Sequence, residues 1–381
     1  MRQGRSSAHV RPVGGRPAGQ VPGAGVFALE PIAPSLEAEW KALAEATDAA
    51  PFLRPGWITA WWSAFAEGAP VVATLRRDDG LVALLPLVGR RGLLRSPTND
   101  HSPVFGAVAV DEAAAAQLLT ELLARRIRRV VMTHVPSDEL ARVGEAAAAS
   151  GRRLVARPLV RTSCVVFQGK AADWTAALSR NRRGALRRKR RDLAAEGAVA
   201  VSFEEGDEGY EDFLALEASG WKGRRGTAIA SDPSTRQFYE HVVAWCRDEG
   251  RLRLSFLRLD GRPVAAMLGL VDDRTWWWLK AGFDEAYGRF SPGLLLGHAE
   301  IEHAIDEGVQ RYDLGAGITQ LKAGWKPREA ERWIVEAYAP TRGGIAHYAA
   351  ARAREAVRPA VRVARARLAG GSDQRAGSSA S

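Results

Sequence analysis

Two stretches of this chain run through the same order of patterns: helix, hairpin with an Asp-Gly turn, strand, helix, strand. The first hairpin joins apolar runs at 71–75 and 81–88 through Arg76-Arg77-Asp78-Asp79-Gly80; the second joins 252–259 to 263–271 through Asp260-Gly261. Around the turns, Leu75…Asp79-Gly80-Leu81-Val82-Ala83 parallels Leu257…Asp260-Gly261-Arg262-Pro263-Val264-Ala265. A shared order of this length predicts a duplicated α+β unit. Each copy would be a mixed, twisted sheet with helices on both faces.

The patterns flanking the hairpins place the other elements. Leu36, Trp40 and Leu43 put a helix at 34–46, and Trp57, Trp61 and Phe65 recur every four residues on another. A strand is expected at 104–110, a helix at 112–125, a strand at 130–135 and a helix at 137–150 capped by Gly151. Strands near 153–160 and 163–168 close the first unit. In the second, helices fall near 172–196, 207–220 and 232–249, a third strand at 276–282, a helix at 292–307, and strands at 311–314 and 333–338. The predicted organisation is a disordered arm over 1–25, units over 26–168 and 169–340, and a basic tail over 341–381. Within the tail, a helix at 345–368 alternates Arg with small apolar residues, a pattern compatible with weak association with anionic lipid.

Charge says less than its total suggests. The chain has 54 Lys plus Arg against 44 Asp plus Glu, a net +10. Residues 1–25 carry four arginines and no acid, and 341–381 carry eight arginines against two acids, so 26–340 is neutral. The pI alone is therefore no evidence for a polyanion partner. A hydrophobic fraction of 46% with 12 Trp supports a sizeable core. No run approaches the ~18–20 apolar residues of a membrane span, and the N-terminus lacks an apolar signal core. Cys164 and Cys246 read as buried thiols, which favours a cytoplasmic setting, and no Cys/His spacing suits a metal.

Chemistry concentrates in 276–326. The strand 276–282 leads through Arg289-Phe290 into Ser291-Pro292-Gly293, a helix start with Ser placed to cap and Pro at the first position. Free amides beside an arginine suit an anion there, and the same residues also read simply as a well-capped helix. After the helix, Asp313 ends a strand and Gly315 and Gly317 follow, so a ligand could approach the backbone. Lys322 and Lys326 come next. Upstream, 180–191 holds eight cations and no acid, either a solvated helix face or a phosphate contact. His298 falls on an apolar helix face and reads as a core histidine.

These residues resemble the GNAT acyltransferase superfamily. The likeness is to the acetyltransferase-like domain of polysaccharide- and cellulose-biosynthesis proteins and to the related Fem-type aminoacyltransferases, which are tandem GNAT folds. It rests on Glu217-Ala-Ser-Gly-Trp221-Lys222-Gly223, Gly226-Thr227-Ala228-Ile229, Asp260-Gly261, Ser291-Pro292-Gly293-Leu294-Leu295, Asp313-Leu-Gly315…Lys322-Ala-Gly-Trp325, and the basic helix from Asn181 to Arg191. It covers roughly 170–340, and more weakly 35–170.

The resemblance implies acyl transfer from acetyl-CoA or another acyl-CoA to an amine or hydroxyl of a cell-envelope or polysaccharide precursor. The acyl arm would lie on the strand 278–282, and the cofactor set would be Lys280, Arg289, Ser291, Gly293 and Leu294. Pro292 and Leu294 stand where the usual loop has small residues, and Pro removes one amide. Asp313 or Glu217 would relay the proton, with Lys322 beside them; Asp284 and Glu285 are further acids in reach. Trp221, Lys222, Trp278, Arg187 and Arg188 would hold the acceptor. Two alternatives remain open: an aminoacyl-tRNA donor, as in the Fem-type proteins, and a non-catalytic accessory role.

Overall fold

The computed structural model describes residues 25–78 and 80–356. The expected arm, Gly25 apart, and the tail beyond 356 lie outside them, as does Asp79 of the first turn. The described part of the terminal helix runs over 342–356.

The first half contains β1 (Val26–Glu30), α1 (Pro34–Ala46), α2 (Pro55–Phe65), β2 (Ala69–Arg77), β3 (Gly80–Arg90), β4 (Leu93–Arg95), β5 (Val108–Ala109), α3 (Glu112–Ala124), β6 (Arg129–Val135), α4 (Ser137–Ala149) and β7 (Arg153–Val166). The second contains α5 (Ala171–Ala177), α6 (Arg180–Ala194), β8 (Val199–Glu204), α7 (Tyr210–Ser219), α8 (Trp221–Arg224), α9 (Pro233–Asp248), β9 (Leu252–Leu259), β10 (Arg262–Val271), β11 (Thr275–Phe283), α10 (Pro292–Asp306), β12 (Arg311–Ala316), α11 (Gln320–Ala323) and β13 (Arg328–Tyr338).

All thirteen strands belong to one sheet, with β5 attached to the side of β3. The remaining order is β1-β2-β3-β4-β6-β13-β7-β12-β11-β10-β9-β8. It reads alike from either end. Each arm starts with three antiparallel neighbours, continues into a third hairpin strand (β4 or β11), and then adds a parallel strand (β6 or β12) after a helix. At the centre the halves exchange strands. The last strand of the chain, β13, pairs with β6 of the first half, while β7 pairs with β12 of the second. β7 and β13 pair with each other from Arg328↔Cys164 to Tyr338↔Arg153, the longest ladder in the sheet.

Several boundaries differ from the sequence patterns for identifiable reasons. β7 is one strand where two were expected. Its register slips between Val160 and Pro158, so a bulge takes up the proline that lacks a ladder donor. The helix expected at 172–196 is two helices, because Ser179 accepts a hydrogen bond from the Arg182 amide at 3.2 Å and starts α6 anew. The strand expected at 104–110 shrinks to β5. β1 and β8, the sheet's two edges, gave no clear apolar pattern because both are partly exposed.

The core spans both halves. Gly56 of α2 faces the Trp245 indole of α9, and Trp57 meets Phe238 edge-on at 5.0 Å. A second apolar cluster lies beneath α6 and α10. Within it Glu300 of α10 is fully buried. The Ser255 hydroxyl donates to it at 2.6 Å, and the Tyr312 hydroxyl donates to its other oxygen. Burial pushes this carboxyl up to about 7, against those hydrogen bonds.

A raised carboxyl stabilises the fold in its neutral form, and that contribution fades as pH rises through about 7. Melting temperature should therefore fall between pH 5 and pH 8 in the wild type by several degrees more than in Glu300→Gln. Scanning calorimetry across that range checks it, and equal slopes in both proteins would count against a titrating Glu300.

Candidate active site

A wedge opens in the second half of the sheet. β11 and β12 pair in parallel at Thr275↔Arg311, Trp276↔Tyr312 and Trp277↔Asp313, and the pairing ends there. β11 runs on to Phe283 on its β10 side alone, with Leu279 as an extra residue between Trp278 and Lys280. A bulge leaves its extra residue outside the ladder and re-aims its neighbours. β12 turns the other way, toward β7, through Gly315 at φ +69°. That left-handed value suits glycine, and a Cβ there would stand 3.4 Å from the Trp278 carbonyl. The backbone of β11 from 278 onward is thus open to a guest.

Asp313 sits at the apex, 7% exposed, with Oδ1 accepting the Gly315 amide at 2.7 Å. Burial raises its pKa, opposed by Arg332, Lys322 and Arg311. Lys322, on α11, donates from Nζ to the Ala316 carbonyl at 2.8 Å and stands 5.5 Å from the Trp278 ring centre. Burial lowers it to about 8, with Asp313 pulling the other way. Lys280, on the far side of the bulge, lies 5.7 Å over the Tyr239 ring. It too is lowered to about 8, by burial first and then by Lys222. Lys322 near the buried Asp313 carboxyl forms an acid–base pair, and Lys280 is a second amine with a lowered pKa, nearer Glu217 and Lys222.

The first half walls this cleft. His101, His134 and Thr162 line the same narrow cavity as Trp278, Lys280 and Gly315. The loop carrying His101 is tightly held: the Asn99 carboxamide accepts the His101 amide at 3.1 Å, and Arg332 Nε donates to the Pro103 carbonyl at 3.1 Å. His101 stacks with Phe65 and Phe238 and meets the Tyr239 hydroxyl at 3.3 Å. His134 adopts φ +60°, an uncommon value for a side chain of its size. Burial lowers both imidazoles to about 4, so both are neutral.

Glu217 does a different job from a free base. It is 2% exposed, and its oxygens accept from Lys222 Nζ at 3.0 Å and from the Ile229 amide at 2.8 Å. Lys222 also donates to the Ala281 carbonyl at 2.7 Å. The pair ties α7 and α8 to the open end of β11. Gly282 permits the approach, since a Cβ there would lie 2.5 Å from the Glu217 nitrogen. Trp221 is 47% exposed next to this tie, with its amide on Glu285 at 2.9 Å. Asp284 pairs with Arg262 at 3.0 Å, and Glu285 with Arg224 at 2.8 Å.

The start of α10 is poorer in donors than its sequence suggests. Ser291 adopts φ +55° and its hydroxyl caps no amide. Leu294 and Leu295 amides bond to the Ser291 carbonyl, and Pro292 has none, which leaves the Gly293 amide. Arg289 pairs with Glu196 at 3.1 Å, and its carbonyl accepts Lys189 Nζ. The basic helix α6 spends three of its cations this way. Arg182 donates to the Leu321 carbonyl and covers Trp325, Arg183 donates to the Ala176 and Leu178 carbonyls, and Lys189 holds Arg289. Arg187 and Arg188 are exposed. Arg187 faces a separate cavity against α10, where His298 meets Thr175 at 3.2 Å and Glu302 at 3.3 Å.

The structure puts Trp278, Lys280 and Gly315 in one cavity with His101 and His134, and sets Asp313 and Lys322 near each other at the apex of the wedge, with Glu217 and Lys222 on the side of Lys280. It leaves Arg187 and Arg188 elsewhere. His101, His134, Tyr239 and Arg332 escaped the sequence reading. Only His101 had a signal, in the Asn-Asp-His-Ser-Pro run.

Residues 180–326 match the family model for an acetyltransferase (GNAT) domain. The chain carries a GNAT domain. Among solved structures, FemX superposes with a TM-score of 0.56 at 12% identity, covering 81% of this chain and 96% of FemX. A conserved protein of unknown function from Bacteroides thetaiotaomicron gives 0.52 at 13%, covering 82% and 100%. L-PGS from Bacillus licheniformis gives 0.51 at 13%, covering 81% and 93%. At these identities the likeness is one of fold, and it extends over both halves: the expected mixed-sheet, tandem GNAT architecture is the architecture found. No curated protein matches in sequence. The wedge and the start of α10 both lie inside the GNAT segment, whereas His101 and His134 lie outside it.

Lys222→Met strands the buried Glu217 carboxylate and should destabilise by about 3–5 kcal/mol; Glu217→Leu leaves a partly exposed ammonium and should cost less, and the double variant should cost less than the sum of the two. Urea denaturation of the three variants gives the coupling; strict additivity would show that the pair does not hold β11.

Proposed function

We propose that this GNAT protein transfers an acyl group from acetyl-CoA or another acyl-CoA to an amine or hydroxyl of an anionic glycan or cell-envelope precursor. The observation that carries the proposal is the wedge. β11 loses its parallel partner beyond Trp277↔Asp313, which frees backbone amides around the Leu279 bulge to receive an acyl carbonyl. The thioester carbonyl would lie against this stretch, with the diphosphate near Arg289 and the Gly293 amide. An acceptor amine attacks the carbonyl carbon. The C–N bond forms, the C–S bond breaks, and the amine's proton passes to Asp313, directly or through water, while the thiolate is protonated as it leaves. Lys280 and Lys322 hold an anionic group of the acceptor in their charged forms. The first half, through the His101 loop, supplies the acceptor's other wall.

One observation favours a second donor. With Pro292 and the bonds of Leu294 and Leu295 to Ser291, α10 offers a diphosphate little more than one amide. An aminoacyl-tRNA presents its acyl carbonyl without that group, and the exposed Arg187 and Arg188 would then meet the RNA backbone.

Isothermal titration with acetyl-CoA tests the first reading. Saturable binding, weakened at least tenfold by Gly293→Pro, is the expected result; a folded protein that binds none, yet binds tRNA in a strongly salt-dependent way, moves the donor to the second.

The lysines set a pH signature. Both are cationic below about 8, so kcat/KM for an anionic acceptor should fall as pH rises through that value. Lys322→Arg stays charged and should blunt the alkaline fall, whereas Lys322→Met should cost ten- to a hundredfold at pH 7. A profile identical in wild type and Lys322→Arg would remove Lys322 from acceptor binding.

A further inference from the structure

A sizeable cavity lies away from the wedge. It has a volume of about 640 Å³ and lies between α6, α10 and the edge strand β8. Its floor is aliphatic: Leu186, Val199, Val201, Leu257 and Leu295. Its rim is cationic on one side. Arg183, Arg187 and Arg190 follow each other at i, i+4 and i+7, so all three stand along one edge of α6. Arg183 is engaged with the Ala176 and Leu178 carbonyls, and Arg190 lies in the field of Glu302. Arg187 forms no ion pair among the described residues, and Asp306 is a further acid lining the cavity, on the α10 side. On the opposite rim Glu302 is already held by Thr175 at 2.8 Å and by His298, and His303 stacks on Phe203 at 3.9 Å and pairs with Glu307.

A soluble protein seldom leaves an aliphatic trough of this size beside uncompensated guanidinium. The chain's own ends are a poor fit to it. Residues 1–24 carry four arginines and no acid, and 357–381 carry five arginines and one acid, so both would meet α6 with like charge. A bare phosphate would leave the floor wet, and a neutral lipid would leave Arg187 unused.

We propose that this trough binds a single-chain anionic amphiphile: an aliphatic chain laid over Val199, Val201, Leu257 and Leu295, ending in a carboxylate or phosphate on Arg187 and Arg190. The volume suits one chain rather than two. The site is separate from the wedge and stands whether or not the transfer reaction proposed above is correct. Guanidinium with carboxylate or phosphate forms paired, charge-assisted hydrogen bonds, and the flanking helix edge keeps the head at the solvent boundary.

Titration calorimetry below the critical micelle concentration tests it, with palmitate and 1-palmitoyl lysophosphatidate as probes. Hexadecanol and inorganic phosphate serve as controls. One equivalent of either anionic amphiphile should bind, at least tenfold tighter than hexadecanol, with phosphate alone showing no saturation. Arg187→Gln/Arg190→Gln should weaken the anionic probes about tenfold or more and leave hexadecanol unchanged. Val201→Trp fills the trough from its exposed side, clear of the core, and should abolish binding of the whole series while circular dichroism stays native. Preference for palmitate over lysophosphatidate, or the reverse, tells a free fatty acid from a phospholipid-derived head; either supports the site. Equal affinity for hexadecanol, equal affinity for phosphate, or binding that survives Val201→Trp would overturn the proposal, as would no binding by the folded protein.

Discussion

The ladder between β7 and β13 is what the rest of the molecule hangs on. Each half has strands enough for a small sheet, but each lacks its own final partner: β6 is completed by β13, and β12 by β7. The first half cannot complete its sheet before the chain has reached β13, and the second completes its own only on a strand of the first. The exchange also decides what faces the cleft. Through β7 it brings Val160 and Thr162 beside β12, and through β13 it brings Arg332 against the Pro103 carbonyl and near Asp313. A wedge inside one GNAT domain thus becomes a cleft between two halves. The first half repeats the strand order of the second and contributes walls to this cleft.

Electrostatics in the cleft follow from burial more than from pairing. Asp313, Lys280 and Lys322 are each shifted toward their neutral forms, and in every case desolvation is the largest cause. A tight Asp313–Lys322 ion pair would have pushed both the other way. Instead Lys322 donates to a backbone carbonyl, and Asp313 accepts a backbone amide. Held by the backbone rather than by one another, Asp313 is left with a raised pKa and Lys322 with a lowered one. Glu217 and Lys222 show the contrast: they are hydrogen-bonded to each other, each with a further backbone partner, and they serve position.

Much of this was legible in the sequence, and the reasons are specific. The hairpins were readable because Asp-Gly turns interrupt apolar runs, and α1 because its period is regular. β1 and β8 were not readable, since an edge strand with one wet face carries no clean alternation. The Pro158 bulge hid the unity of β7. At the site, Asp313 was singled out as the acid at a strand end ahead of two glycines, and Lys322 by its place just after them. His134 gave no signal, and the Asn-Asp-His-Ser-Pro run around His101 marked a loop without placing it, because sequence distance to the wedge is large. Ser291 read as a side-chain cap, but its left-handed backbone carries the hydroxyl away from the helix amides.

The basic helix shows why a charge count is a weak guide to partners. Eight cations in 180–191 look like a polyanion site. Three of them are carbonyl clamps, and their targets are the segments whose positions matter most: Leu321 beside Lys322, and Arg289 at the approach to α10. An arginine bonded to a backbone carbonyl fixes a loop without introducing a neutralising acid, so it leaves the charge in place. The helix therefore stays strongly cationic while doing structural work, and the charge it presents to solvent is a consequence of that work as well as a means of binding. Only cations without carbonyl targets, Arg187 and Arg190 above all, then remain to meet a ligand, and they line the apolar trough against α10 rather than the wedge.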